Sequence, residues 1–70
     1  MKILVEAFWD DEARVWVASA AGDLGLATEA DTIENLQRRL AIIIPDLLGE
    51  EHSGPFEIEL VARSSQTIAA

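Results

Sequence analysis

Apolar and polar residues alternate from Lys2 to Trp9. Ile3, Val5, Ala7 and Trp9 project to one side, and Lys2, Leu4, Glu6 and Phe8 to the other. Period two with β-branched and aromatic residues predicts a strand. Asp10-Asp11-Glu12 breaks the pattern, and an aspartate there can cap its own turn. Arg14 to Ser19 then reads as the return strand of a hairpin. Ala20 to Gly25 is a small-residue loop with two glycines, and Leu26-Ala27-Thr28-Glu29 is a short third strand.

The period changes at Asp31-Thr32. Either side chain can accept from the first-turn amides of a helix, and Glu34 lies three residues after Asp31, as in a capping box. Ile33, Leu36, Leu40, Ile43, Ile44 and Leu47 then follow the spacing of one helical face. Pro45 lacks an amide hydrogen and clashes with the carbonyl four residues back. It is expected either to kink the helix near Ala41 or to restart it. Gly49 ends the element. After a loop from Glu50 to Pro55, the segment Phe56 to Arg63 alternates again, with Phe56, Ile58 and Leu60 toward the core and its glutamates toward water or a partner.

The order β-β-β-α-β, with a single one-striped helix, predicts a two-layer α+β domain whose helix covers one face of a small, mostly antiparallel sheet. Crossover geometry allows the last strand to lie parallel to the first, on the side away from the hairpin, giving the spatial order 3-2-1-4. The domain spans residues 1–63, and residues 64–70 form a small, polar, frayed tail. The opposite sheet face is left uncovered.

Composition narrows the function more than the fold. The 70 residues are 50% apolar and carry a formal net charge of −8. That apolar share marks a folding chain, not an acidic disordered tail. A chain of this size buries only roughly 60% of its unfolded surface. It has no cysteine, so neither a disulfide nor a thiolate-bound zinc reinforces it. Self-association, as a dimer or higher, is the expected stabiliser. The negative charge opposes a nucleic-acid surface, which needs clustered Lys and Arg, and suits a basic protein partner. Only Ile3-Leu4-Val5 separates Lys2 from Glu6, too short for a signal peptide, and Pro45 and Asp46 interrupt the one greasy stretch. A cytoplasmic, non-membrane protein is expected.

Catalytic readings fail for want of residues. His52 is the single histidine, and no cysteine or second histidine completes a nucleophile–base pair. Asp10, Asp11 and Glu12 are consecutive on a turn and do not converge on an ion. Gly22-Asp23-Leu24-Gly25 has neither the lysine nor the following helix of a phosphate cradle. In the Arg38-Arg39 doublet, Arg38 lies four residues after Glu34, the ordinary pairing of an exposed helix. No enzyme activity, catalytic residue, cofactor or metal is expected.

Two surface features stand out. Ile42 projects opposite the apolar stripe, among Asn35, Arg38 and Asp46, unless a kink at Pro45 turns it inward. Leu4 and Phe8 fall on the uncovered sheet face, flanked by Glu6, Glu57 and Glu59. Trp16 joins them in one hairpin register and enters the core in the other. An aromatic centre with a charged rim is the anatomy of an interface. Leu4, Phe8, Trp16 and Ile42 are therefore the candidates for partner binding or self-association. Pairing of a sheet edge across a two-fold is a third route to assembly.

From Asp10 to Leu48 the chain resembles the HicB-like antitoxins. The matching run is Val15-Trp16-Val17-Ala18, the loop Gly22-Asp23-Leu24-Gly25, and Leu26-Ala27-Thr28-Glu29-Ala30-Asp31-Thr32 leading into a Leu-rich helix. Phe8-Trp9-Asp10 and Ile44-Pro45-Asp46-Leu47-Leu48 are similar to a short stand-alone subgroup, uncharacterised in function. Leu24 stands where relatives often carry a proline. The resemblance implies three antiparallel strands, a helix and a further strand. It also implies binding and masking of a small basic HicA-type toxin that cleaves mRNA, usually with self-association, and no catalytic residues. Many members carry a C-terminal module for operator DNA, for which this sequence shows no counterpart after its fourth strand.

The leading expectation is thus a non-enzymatic, antitoxin-like module that occludes a small basic toxin. The alternative is a self-associating orphan domain without a toxin partner. An RNA-binding or nuclease-like domain has only fold analogy behind it, with the charge against it.

Overall fold

The computed structural model describes residues 2–20, 24–49 and 55–69. Its elements are β1 (Lys2–Asp10), β2 (Val15–Ala20), β3 (Ala27–Ala30), α1 (Ile33–Leu48) and β4 (Glu57–Arg63). They form one mixed four-stranded sheet, order β3-β2-β1-β4, with α1 on one face. β1 pairs antiparallel with β2 and parallel with β4, and β2 pairs antiparallel with β3. The predicted α+β class and strand order are those observed.

β1 and β2 are the two inner strands, each paired along both edges. Val5 and Ala7 are fully buried, with Ala18 across from Ala7. Small residues (Ala7, Ala18 and Ala30) floor the sheet beneath the helix, while Leu36, Leu40 and Ile44 fill the space from above. Those three recur every fourth residue, so they form one stripe. Burying such a side chain contributes roughly 1.5–3 kcal/mol, which makes this stripe the main anchor of the helix. α1 packs chiefly against β3 and β2. Ile58 and Leu60 of β4 touch the core yet stay only half-buried.

Of the two residues expected to open the helix, Thr32 is the one that caps it, and Asp31 is held by Asn35 instead of pairing with Glu34. Thr32 is the N-cap: its backbone is extended and its hydroxyl accepts from the Asn35 amide at 3.0 Å. Asn35 also donates through Nδ2 to Asp31 Oδ1 at 2.8 Å and accepts from Arg38 at 3.0 Å. Arg38 therefore bonds Asn35, and the expected Glu34–Arg38 pair is absent among the described residues. The Asn35 bond holds the Asp31 carboxyl below the ordinary aspartate value, because it favours the ionised form.

α1 runs continuously through Pro45, so the expected restart does not occur. The bond that Pro45 cannot donate lies in the last turn, and solvent reaches that exposed position. Gly49 closes the helix at φ 74°, its amide donating to the Pro45 carbonyl at 3.1 Å. Positive φ is cheap for glycine, which has no Cβ to clash.

Candidate functional site: the uncovered sheet face

The β1–β2 turn decides which side chains reach the uncovered face. Asp10 Oδ1 accepts from the amides of Glu12 and Ala13 at 3.1 and 3.2 Å, and the Arg14 amide closes on the Asp10 carbonyl at 2.8 Å. Arg14 takes a left-handed conformation, φ 59°. Val15 consequently pairs with Asp10, and Trp16 with Trp9. Opposed residues share a face, so Trp16 sits on the helix side with Trp9, Ala7 and Val5.

This corrects one reading of the candidates: Trp16 does not join Leu4 and Phe8. It packs against the core, and its ring meets that of Trp9 edge-on, centroids 5.3 Å apart at 61°. The Arg14 guanidinium lies 5.3 Å from the Trp9 ring centroid. Asp11 Oδ1 holds that guanidinium at 2.8 Å and accepts from Trp9 Nε1 at 3.3 Å. The acidic turn is thus a clamp on the hairpin's own arginine and indole.

The residue that takes Trp16's expected place is Val17, directly across from Phe8. Phe8 and Val17 are 50% and 42% exposed, and Leu4 is 39% exposed. Val61, opposite Glu6, fills the diagonal between Phe8 and Leu4. Glu29 flanks Val17, Glu59 flanks Leu4, and Arg63 flanks Phe8. Lys2 and Glu59 form an ion pair at 3.2 Å, both half-exposed. The result is a Phe8–Val17 apolar pair separated from Leu4 by Glu6 and Val61, with Glu29, Glu57 and Glu59 around them alongside Lys2 and Arg63.

Ile42 lies apart from this patch, on the outer side of α1, at 74% exposure. The structure therefore brings Leu4 and Phe8 onto one face, adds Val17 and Val61, and separates Trp16 and Ile42 from them. Val17 was hidden in the sequence because its face depends on the four-residue turn. His52, Gly22 and Asp23 lie outside the described residues. Among the described residues no group of three or more His, Asp or Glu side chains gathers that could hold a metal ion. No helix among them is long and apolar enough to cross a membrane.

Fold and surface together define a small two-layer α+β domain with one sheet face open. The chain belongs to the family described as a domain of unknown function (DUF1902), which matches residues 2–69. It is also similar to a solved structure, a hypothetical protein from the extremely thermophilic bacterium Thermus thermophilus. That similarity is 39% in sequence, with a TM-score of 0.69 and full coverage of both chains. No curated protein matches the chain.

Proposed function

We propose that this domain is a non-enzymatic, antitoxin-like binding module that masks a small basic mRNA-cleaving toxin of the HicA type. The uncovered sheet face carries the reading. Phe8 and Val17 expose a paired apolar surface, with Leu4 further along β1 beyond Glu6, among the acidic residues Glu29, Glu57 and Glu59. An apolar centre supplies the burial that holds a partner, and a charged rim supplies steering and orientation. The net charge of −8 favours a cationic partner at long range. An RNA-cleaving protein needs a basic surface to hold phosphates, and an acidic surface covering it excludes the substrate. The likeness of the hairpin, loop and helix to HicB-like antitoxins supports the same partner class.

The test uses the protein's own organism. Tagged wild-type protein and a Phe8→Glu variant are used to capture partners from lysate, and any small basic protein recovered is assayed for mRNA cleavage with and without the domain. Capture at near-equal stoichiometry and suppression of cleavage by wild-type protein alone supports the reading. Absence of a basic partner, or a captured protein that cleaves no RNA, refutes it.

A further inference from the structure

β4 is an edge strand of seven residues, Glu57–Arg63, paired on one side only, with β1. An unpaired strand edge presents a row of amides and carbonyls that template another strand. The other edge strand, β3, is only four residues long. β4 is also incompletely covered on the helix side. α1 packs over β3 and β2, leaving Ile58 and Leu60 half-buried and Ala62 exposed.

The strand's sequence is complementary to itself when reversed. In an antiparallel pair related by a two-fold, opposed residues share a face, so the axis passes through a residue position. Centred on Leu60, all seven residues pair. Glu57 then opposes the second copy's Arg63, and Arg63 opposes the second copy's Glu57. Ile58 opposes Ala62, and Leu60 opposes Leu60 on the under-covered helix side. Among the described residues neither Glu57 nor Arg63 forms an ion pair within its own chain. Centring on Glu59 instead would set two glutamates against each other. Centring on Val61 would shorten the ladder and draw on Glu59, which already pairs with Lys2.

We infer that two copies of this chain join through their β4 edges, antiparallel about Leu60, with reciprocal Glu57–Arg63 pairs, forming one eight-stranded sheet. A two-fold perpendicular to the sheet keeps like faces together. The helices share one side, and the patches around Phe8 and Val17 remain open on the other. The assembly leaves Phe8 and Val17 open on each copy, while Glu57, Glu59, Val61 and Arg63, at the edge of that face, line the seam.

Sedimentation equilibrium of the wild-type chain, Glu57→Arg, Arg63→Glu and the combined charge swap tests this. Both positions are exposed, and circular dichroism checks that each variant is folded. The expected result is a wild-type dimer, association weakened about tenfold or more by each single change, and recovery in the double swap. A monomeric wild-type chain, a dimer indifferent to the single changes, or a double swap that fails to recover pairing each overturns the inference.

Discussion

Phe8 and Val17 stand directly opposite each other across the β1–β2 ladder, on the face that α1 does not cover. Each gives up about half its surface to the sheet and leaves the rest in water. One position along the same ladder, Trp9 and Trp16 oppose each other on the helix face. Adjacent pairs in one hairpin thus have opposite tasks, and substitutions separate them.

Trp16→Ala removes the edge-on contact with Trp9 and part of the core packing. It is expected to lower stability by about 2–3 kcal/mol, below the range for a fully buried tryptophan because Trp16 keeps some exposure. Phe8→Ala is expected to change stability by less than about 1 kcal/mol. Urea unfolding followed by circular dichroism distinguishes them. Equal losses would mean that the two faces are not divided in this way.

Pro45→Ala supplies an amide to the unbroken last turn, where the Ala41 carbonyl lacks its helical donor. Because Pro45 is exposed, little packing is lost. Stability is expected to rise by about 1 kcal/mol or more. A loss in thermal unfolding would show that the ring, not the missing amide, matters to that turn.

Thr32→Ala removes the N-cap and is expected to destabilise the chain by about 1 kcal/mol. Asn35→Ala removes the donor that holds Asp31 low, so the Asp31 carboxyl is expected to titrate at higher pH, closer to an ordinary aspartate. The sign follows from the direction of the shift. A carboxyl whose folded pKa is depressed stabilises the fold above its unfolded pKa, and that contribution is lost as pH falls through the folded value. Carbon-detected NMR titration of Asp31 in both forms checks the shift. An unchanged midpoint would assign it to another neighbour.

Element types were legible from the alternation in β1 and β4 and the four-residue spacing of Leu36, Leu40 and Ile44, and crossover geometry allowed the observed strand order without requiring it. The side on which Trp16 lies was not legible. It follows from the left-handed Arg14 and the four-residue turn, and a one-residue slip would have exchanged Trp16 with Val17. The choice between Asp31 and Thr32 as cap was left open by the sequence for a similar reason, since both residues can accept from first-turn amides. Of the two outcomes expected at Pro45, the restart does not occur, because in the last turn the missing amide leaves the solvent-exposed helix continuous.

The most direct measurement of the masking function is partner capture from the native organism's lysate by wild-type, Phe8→Glu and Trp16→Phe proteins side by side, quantified by mass spectrometry. The expected result is one small basic protein at near-equal stoichiometry on the wild-type and Trp16→Phe proteins, lost from Phe8→Glu, and cleaving mRNA once released. Capture that is absent, or that survives Phe8→Glu unchanged, would contradict a masking role for the uncovered face.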